Sequence, residues 1–256
     1  MNPIQAQQTQ QDPEPVAIVT GASRGIGAAI AQRLARDGHA VIVNYAGRAD
    51  AAAHVVDAIR ASGGRALAVQ ADVADPAAVR ELFDAALREF GRVDVLVNNA
   101  GVMPPELPQL ADTEDAEFDK LIGINLKGSF NAMREAARRL APGGRIVNFS
   151  SSLVGTALPG YSVYAASKAA IETMTLILAK ELRGRRITVN AVAPGPTATA
   201  LFLDGKTPEQ IERLAKLAPL ERLGEPADIA SIVAFLAGPD GAWINGQTLR
   251  ANGGMV

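Results

Sequence analysis

The stretch Val16-Ala17-Ile18-Val19-Thr20-Gly21-Ala22-Ser23-Arg24-Gly25-Ile26-Gly27 decides the fold of this chain. Residues 16–20 form a short, largely apolar run, and a glycine-rich turn follows at once. Residues 28–37 have helical composition and stop at Gly38. A strand, a glycine-rich turn and a helix in this order favour a nucleotide site, because glycines let the backbone approach a pyrophosphate and the helix presents free N–H groups. The glycine spacing departs from the commoner GxGxxG pattern, and such a turn can also serve packing alone.

The same alternation of strand and helix continues along the rest of the sequence. The strand-like runs are apolar almost throughout, as expected where helices cover both faces of a sheet. We therefore predict a single α/β domain over residues 16–256, a Rossmann-like doubly wound parallel sheet of about seven strands with helices on both faces. Further strands are predicted over residues 40–43, 66–70, 93–97, 145–149, 188–193 and 248–251.

Helices are predicted in the intervals between these strands. An apolar stripe from Ala52 to Ile59 predicts a helix that ends at Gly63-Gly64. The next helix is predicted to begin at Pro76, with Asp75 as its N-cap, and to reach Phe90. Longer helices are predicted over residues 114–140, where Gly123 and Gly128 weaken the middle, and over residues 161–182 and 226–237.

The composition argues against several classes of function. A net charge of -2 and a pI near 5.8 give no electrostatic footprint for nucleic acid or an anionic membrane, so neither partner is expected. With no cysteine and two histidines, no metal site is expected. No apolar run approaches the roughly 20 residues of a membrane span. Residues 1–15, rich in Gln and Pro, lack the features of a secretory signal, and we predict a disordered leader on a cytoplasmic protein.

The end of the second predicted strand bears on the choice of dinucleotide. An NAD site usually carries an acid there, which binds the ribose 2'-hydroxyl, but this chain has Asn44 followed by Tyr45-Ala46-Gly47-Arg48. No carboxylate stands there to repel a phosphate. Arg24 and Arg48 are instead placed to bind a 2'-phosphate, although both could simply be solvated. The sequence therefore favours NADPH over NADH.

Two other strand ends carry polar residues at the same edge of the predicted sheet. Asn98-Asn99-Ala100-Gly101 closes the fourth strand, where the amides either cap a turn or brace the cofactor loop. Asp72-Val73 closes the third strand, where an adenine edge could be bound, although Asp72 is also typical of an ordinary loop start.

Tyr164 and Lys168 lie four residues apart on a predicted helix and therefore share one face. A fixed positive charge near a phenol favours the phenolate, so we expect Lys168 to lower the pKa of Tyr164 from about 10. That makes Tyr164 a candidate acid or base. The serines Ser150, Ser151 and Ser152 precede this helix.

Taken together, these motifs resemble the short-chain dehydrogenase/reductase family over about residues 15–256, nearest to its 3-oxoacyl-carrier-protein reductases and naphthol reductases. The resemblance rests on Thr20-Gly21-xxx-Gly25-x-Gly27, Asn98-Asn99-Ala100-Gly101, Asn125, the serine cluster, Tyr164-xxx-Lys168 and Pro194-Gly195-xxx-Thr199.

The resemblance implies a catalytic role for four residues. Tyr164 would protonate the carbonyl oxygen as the nicotinamide hydride attacks the carbon, or act as the base in the reverse direction. Lys168 would tune Tyr164 and hold the nicotinamide ribose, and a serine would bind the developing oxyanion. Asn125 would hold a water that connects Lys168 to solvent. The family's commonest separation selects Ser151, whereas the frequent Ser-x-x-Gly pattern selects Ser152; Ser151 is preferred.

The resemblance also implies how the cofactor and substrate are held. Pro194-Gly195 and residues 197–199 would contact the carboxamide, with Thr197 replacing the usual aliphatic residue. Residues 196–223 would close over a partly apolar substrate. The predicted cofactor-binding residues are Gly21, Ser23, Arg24, Gly25, Ile26, Gly27, Asn44, Tyr45, Ala46, Arg48, Asp72, Val73, Asn99, Ala100, Gly101, Tyr164, Lys168, Pro194, Gly195, Thr197 and Thr199.

The function expected from this resemblance is NADPH-dependent reduction of a small ketone or aldehyde by a homotetramer. The alternatives are a 3-oxoacyl-carrier-protein reductase, an NAD-linked alcohol or sugar dehydrogenase, and a non-enzymatic NADP-binding sensor. Arg138-Arg139 and residues 183–186 could meet an acidic carrier protein, but a solvated helix end is the preferred interpretation.

Overall fold

A computed structural model describes residues 14–103 and 106–256 of the chain. Most of the predicted leader, residues 1–13, lies outside the described residues. No helix among those described is long and apolar enough to span a membrane.

A single parallel sheet of seven strands forms the centre of the molecule. The strand order is β3-β2-β1-β4-β5-β6-β7, so the chain reverses direction across the sheet between β1 and β4. In such sheets ligands bind at this reversal, beyond the carboxyl ends of the strands. The strands are β1 (Val16–Val19), β2 (Ala40–Tyr45), β3 (Ala66–Gln70), β4 (Val95–Asn98), β5 (Arg145–Phe149), β6 (Thr188–Pro194) and β7 (Thr248–Ala251).

Ten α-helices connect and flank these strands in the described part of the chain. The Asp75 side chain accepts a hydrogen bond from Ala77 N, which confirms the predicted N-cap of α3. The helices are α1 (Gly25–Arg36), α2 (Ala49–Ala61), α3 (Pro76–Phe90), α4 (Asp115–Leu121), α5 (Gly128–Arg139), α6 (Leu153–Thr156), α7 (Ser162–Glu181), α8 (Ala200–Leu203), α9 (Pro208–Ala215) and α10 (Pro226–Ala237).

The apolar core lies in two layers, one on each face of the sheet. One layer packs α1, α2 and α10 against residues such as Val19, Val43 and Val97. The other packs α3, α5 and the end of α7 against Ile18 and Leu96. The predicted doubly wound α/β domain is therefore confirmed.

The predicted helix over residues 114–140 differs from the observed structure. It divides into α4, a π-helical stretch over Ile122–Lys127, and α5. Gly128 fits tightly here, because a Cβ atom would lie 2.6 Å from Cγ2 of Val73. The weakness expected around Gly123 and Gly128 thus takes the form of a local π-helix, a form often found at functional sites.

Candidate active site

A cavity of about 620 Å³ lies at the carboxyl edge of the sheet, at the reversal between β1 and β4. It brings together nearly all the residues that the sequence singled out. Its walls include Gly21, Ser23, Arg24, Gly25, Ile26, Gly27, Asn44, Ala46, Arg48, Asp72, Val73, Asn99, Ala100, Gly101, Ser150, Ser151, Ser152, Tyr164, Lys168, Pro194, Gly195, Thr197 and Thr199. Of the predicted site residues, only Tyr45 and Asn125 are outside this lining.

The glycine turn is braced by the residues that follow β4. Asn99 Nδ2 donates hydrogen bonds to the carbonyl oxygens of Thr20 at 2.9 Å and Gly21 at 3.1 Å. The Thr20 hydroxyl accepts hydrogen bonds from the backbone N–H groups of Asn99 and Ala100, both at 3.0 Å. A Cβ atom on Gly27 would lie 2.5 Å from Asn99 Nδ2, so only glycine fits there. Asn99 therefore braces the loop, as the sequence indicated.

Asn98 has a different role from its neighbour. Its Nδ2 donates to Asn148 Oδ1 at 2.9 Å, and Asn148 in turn donates to Thr175 Oγ1 at 2.9 Å. Asn98 and Asn148 are at most 3% exposed. The pair joins β4, β5 and α7 beneath the cavity, so Asn98 supports the sheet and not the glycine turn.

The amino end of α1 has the features of an anion site. Its N-cap residue, Arg24, gives no side-chain cap, and the first turn contains no acidic residue, so the N–H groups face the cavity without a local acceptor. Among the described residues, the exposed guanidinium groups of Arg24 and Arg48 make no side-chain hydrogen bond or ion pair. Two unpaired cations thus stand at the cavity wall near this helix end.

Asn44 links the glycine turn to the residue that follows β3 at the edge of the cavity. Its Oδ1 accepts from Gly21 N at 3.2 Å, and its Nδ2 donates to Ala71 O at 3.0 Å. Tyr45 packs its ring against the core, so its side chain is not brought into the cavity as predicted. Asp72 lines the cavity while its Oδ1 accepts from Ala74 N at 2.9 Å, which combines the two roles considered for it.

Tyr164 and Lys168 lie on the first turns of α7 and face the cavity together. Lys168 is 4% exposed, and its Nζ donates to Phe149 O at 3.0 Å. The same Nζ lies 5.7 Å from the centroid of the Tyr164 ring. The end of β5 therefore fixes the ammonium beside the phenol.

The expected effect of Lys168 on Tyr164 is wrong for this structure. Burial raises the pKa of Tyr164 because the phenolate loses its hydration, and a hydrogen bond with Ser151 opposes this only in part. Burial also lowers the pKa of Lys168, to about 8, because its charged form loses hydration too. Desolvation of the shared site, and not the attraction between the two groups, sets the direction of the Tyr164 pKa.

The three consecutive serines have three different sets of partners. Ser150 Oγ donates to Glu172 Oε1 at 2.6 Å, and Ser152 Oγ donates to Ala193 O at 3.0 Å. Ser151 Oγ accepts from Leu153 N at 3.2 Å and is the one that reaches Tyr164. The geometry therefore favours Ser151 over Ser152 as the serine that meets a ligand beside Tyr164.

Asn125 lies in the π-helical stretch, fully buried behind the cavity wall. Its side chain pairs with the backbone of Val102, accepting from N at 2.8 Å and donating to O at 2.9 Å. A Cβ atom on Gly101 would lie 3.3 Å from Asn125 Oδ1 and 3.5 Å from Lys168 Nζ. Asn125 and Lys168 are therefore neighbours around Gly101, and Asn125 holds the strand of chain that passes over them.

Comparison with known proteins identifies the family. The family model described as enoyl-(acyl carrier protein) reductase matches residues 21–256. The chain belongs to the short-chain dehydrogenase/reductase family. A short-chain type dehydrogenase/reductase of Picea abies is 49% identical over 249 residues, covering 94% of this chain and 92% of the relative.

Two further similar proteins of this family have NADP or NADPH in their names. A chloroplastic NADPH-dependent aldehyde reductase-like protein of Arabidopsis thaliana is 48% identical over 253 residues, covering 94% of both chains. The structure of a short chain dehydrogenase from Burkholderia cenocepacia in complex with NADP is 43% identical, covers 94% of this chain and 97% of that one, and superposes with a TM-score of 0.88.

In the loop after β6 of this short-chain dehydrogenase/reductase, two threonine hydroxyls form local hydrogen bonds. Thr197, 5% exposed, donates from Oγ1 to Gly195 O at 2.9 Å, so its hydroxyl is satisfied where an aliphatic residue was expected. Thr199 caps α8 by accepting from Phe202 N at 3.3 Å. The helices α8 and α9 lie within residues 196–223, a stretch in which no helix was predicted from the sequence.

Several lining residues of this short-chain dehydrogenase were missed from the sequence. Tyr161 lies half-buried on the wall, and burial raises its pKa. Met255 reaches the wall from the other end of the chain. Neither position belongs to a motif, and only the folded arrangement brings them to the cavity. The missed apolar members of the wall include Val102, Met103, Ile124, Leu153, Leu158 and Met255.

Proposed function

We propose that this short-chain dehydrogenase/reductase is an NADPH-dependent carbonyl reductase, which converts a ketone or aldehyde into an alcohol. One observation carries the proposal: Tyr164, Lys168 and Ser151 line the same cavity as the glycine turn and the amino end of α1. The description of the Arabidopsis relative as an NADPH-dependent aldehyde reductase-like protein and the NADP complex of the Burkholderia structure support the cofactor and the reaction.

The described residues fit NADPH at both charged ends of the cofactor. The uncapped amino end of α1 and the close backbone of the glycine turn suit a pyrophosphate. Arg24 and Arg48, free of other side-chain partners in the described chain, suit a 2'-phosphate, and no carboxylate at Asn44 opposes it. Lys168 would hold the nicotinamide ribose, and the backbone of Pro194-Gly195 and Thr197 would contact the carboxamide.

The mechanism follows from the residues that face the reacting carbonyl. The bound nicotinamide supplies the hydride that reaches the carbonyl carbon. Tyr164 donates its phenolic proton to the carbonyl oxygen, which completes the alcohol. Ser151, beside Tyr164, donates a hydrogen bond to the same oxygen as negative charge develops there. Lys168, held by Phe149 O, stabilises the phenolate left on Tyr164.

The pKa directions suit reduction. Because burial raises the pKa of Tyr164, the phenol is protonated at neutral pH and is ready to act as an acid. Lys168, with a pKa of about 8, exchanges its own proton close to neutral pH and can resupply Tyr164 through water near Asn125. A Tyr164→Phe variant should lose about 10²- to 10⁴-fold in kcat while it still binds NADPH. Near-normal turnover in this variant would show that the proton donor is wrong.

The cofactor assignment has its own test. Replacing Arg24 and Arg48 together by alanine should raise the KM for NADPH by about 10-fold or more and leave the KM for NADH unchanged, because only NADPH carries the 2'-phosphate. Arg36→Ala, an exposed arginine at the other end of α1, is the matched control. A wild-type preference for NADH would refute the assignment.

The substrate end of the cavity is apolar. Leu153, Leu158, Phe202, Leu214 and Met255 line the cavity that also contains Tyr164, together with Tyr161 and the serines. We therefore propose a small, largely apolar ketone or aldehyde as the substrate, covered by residues 196–223. The test is a panel of apolar ketones, aldehydes, quinones, sugars and keto esters with NADPH, read by loss of nicotinamide absorbance.

The same panel separates the alternatives. A carrier-bound 3-oxoacyl thioester that outcompetes simple ketones would favour a carrier-protein reductase. An enoyl thioester tests the enoyl reduction for which the matching family model is named. Against a carrier partner, Arg139 is already paired with Asp84 at 2.6 Å, and Arg185 binds the carbonyl of Leu140 at 2.6 Å. Oxidation of alcohols or sugars with NAD alone would favour the dehydrogenase alternative. NADP binding without any turnover would favour a sensor.

We also propose a homotetramer in the cytoplasm, with residues 1–15 as a leader outside the catalytic domain of residues 16–256. The exposed apolar residues Phe130, Leu176 and Ile177 on α5 and α7 support self-association. The Arabidopsis relative is named as chloroplastic. Cell fractionation therefore tests the proposed cytoplasmic location directly.

A further inference from the structure

Asn252, the residue that follows β7, uses its whole side chain in hydrogen bonds. Its Nδ2 donates to Ser152 Oγ at 2.9 Å and to Val256 O at 3.1 Å. Its Oδ1 accepts from Gly254 N at 3.0 Å and from Met255 N at 3.2 Å. An amide has two donors and one oxygen with two acceptor sites, so this side chain is fully satisfied in a single orientation. The side chain therefore joins Ser152 to residues 254–256, and the backbone of Asn252 adjoins a second segment of the cavity wall, the loop after β6.

The first segment is the serine turn that bears Ser151. Ser152 is 3% exposed, and its Oγ donates to Ala193 O at 3.0 Å while it accepts from Asn252. The backbone N–H of Ser152 donates to Pro194 O at 3.0 Å. Ser152 is thus held on three sides, and the position of Ser151 beside Tyr164 depends on it.

The second segment is the loop that starts at Pro194-Gly195. Gly195 N donates to Ala251 O at 2.9 Å, and a Cβ atom on Gly195 would lie 2.8 Å from both Cα and Cβ of Asn252. The backbone around Asn252 therefore touches the residues assigned to the carboxamide. Asn252 stands between that loop and the serine turn.

Residues 253–256 complete the junction. Asn252 turns this segment back, and Met255 then lines the cavity. Val256 lies against α6, directly after the serine turn, where a Cβ atom on Gly155 would be 2.6 Å from its Cγ2. The serine turn and the segment after β7 meet at the Asn252 amide, and the loop after β6 lies against the Cα and Cβ atoms of Asn252.

We propose that Asn252 is a positioning residue for the reduction, acting through Ser152 to fix the distance between the serine turn and the Pro194-Gly195 loop. The inference rests on the proposed function for its catalytic consequence. Ser151 contacts the carbonyl oxygen and Gly195 contacts the carboxamide, so this distance sets how the carbonyl faces the transferring hydride. A displacement of about 1 Å in such an alignment can cost about 100-fold in rate.

The first test compares Asn252→Ala, Ser152→Ala and the double variant with Asn245→Ala. Asn245 precedes β7, is exposed, and its Oδ1 accepts from Val189 N at 2.8 Å, so its loss removes a similar bond outside the cavity. Asn252→Ala should lower kcat by about 10- to 100-fold and reduce the enantiomeric ratio of the alcohol, with the Kd for NADPH within about 3-fold of wild type. The double variant should lose no more than the worse single variant, because both substitutions break one link.

A second readout does not need turnover. In hydrogen exchange, the amides of Ser152 and Gly195 should exchange at least about 10-fold faster in Asn252→Ala and unchanged in Asn245→Ala, because only the first loosens their bonds to Pro194 and Ala251. Unchanged exchange at both amides would overturn the inference. Unchanged kcat and enantiomeric ratio with the same loss of thermal stability as Asn245→Ala would also overturn it. A wild type that reduces no carbonyl while exchange still responds would refute the proposed function and leave the junction established.

Discussion

Ser151 and Ser152 are neighbours with separate tasks. Ser152 is enclosed by Ala193 O and Asn252, whereas Ser151 faces Tyr164. We expect Ser151→Ala to lower kcat by about 10²-fold or more, because it removes a donor to the developing oxyanion, and to lower the free energy of unfolding less than Ser152→Ala does. Ser152→Ala should cost about 1–3 kcal/mol of unfolding free energy, because it leaves buried partners unpaired.

The measurement is kcat together with urea unfolding for both variants. Ser152→Ala is expected to lower kcat as well, but by a smaller factor than Ser151→Ala. Equal, mild effects on kcat from the two variants would refute the division of tasks.

Burial of the charged Lys168 side chain lowers the free energy of unfolding. Its pKa of about 8, below the usual 10.5, means that the unfolded chain binds its proton more tightly than the folded chain. Stability from this group therefore rises as the pH increases from about 8 to 10.5, because the unfolded state carries more protons in that range. At neutral pH the difference corresponds to roughly 3 kcal/mol against folding.

A Lys168→Met variant should abolish reduction and yet raise the free energy of unfolding at pH 7 by about 1–2 kcal/mol, after the loss of the bond to Phe149 O is subtracted. The gain should disappear above about pH 10.5, where Lys168 is neutral in both the folded and the unfolded chain. Lys180→Met, at an exposed position of the same helix, is the control and should change neither quantity. A variant less stable than wild type at pH 7 would contradict this account.

At the scale of elements, the short helix α6 after the serine turn ends in a strained residue. Ala157 has φ 49° and ψ 46°, the left-handed conformation that costs a non-glycine residue about 1 kcal/mol. We expect Ala157→Gly to raise the free energy of unfolding by about 0.5–1 kcal/mol, measured by urea unfolding. Ala242→Gly, at φ -62°, should instead lower it by a similar amount. A loss of stability in Ala157→Gly would refute the strain.

Helix and strand boundaries were well predicted where one local signal dominated. The strands at residues 66–70, 145–149 and 248–251 and the helix at 226–237 agree with the structure to the residue. The strand at residues 66–70 and the helix are largely apolar, so sequence and packing indicate the same limits for them. The strand predicted at residues 40–43 extends to Tyr45, because Asn44 pairs with β3 despite its polarity.

The elements that were missed depend on contacts distant in sequence. The helices α6, α8 and α9 are short and lie where the chain folds over the cavity, so they lack a long apolar stripe. The direction of the Tyr164 pKa was missed for the same reason. Spacing along a helix indicates which charges are near, but desolvation depends on everything packed around them.

At the scale of the whole molecule, α5 and α7 cover the same face of the sheet and leave apolar side chains outside. Phe130 is 44% exposed, Leu176 46% and Ile177 49%. If this face forms the contact between copies, Leu176→Glu with Ile177→Glu should convert the proposed tetramer into a smaller species, measured by light scattering after gel filtration. Leu110→Glu, at an exposed apolar position outside these helices, should leave the mass unchanged. A tetramer that survives the double change would refute this contact.

The π-helical stretch at Ile122–Lys127 changes which residues of the flanking helices face the same side. A π turn contains more residues than an α turn, so the direction of side chains after it is rotated relative to those before it. Substitutions along residues 115–139 should therefore be tolerated at a helical spacing, but the tolerated positions in α5 should be out of step with those in α4. Removing one residue from the stretch would restore a regular register and turn Asn125 away from Val102. A single-residue deletion here should thus be more damaging than most substitutions at the same positions.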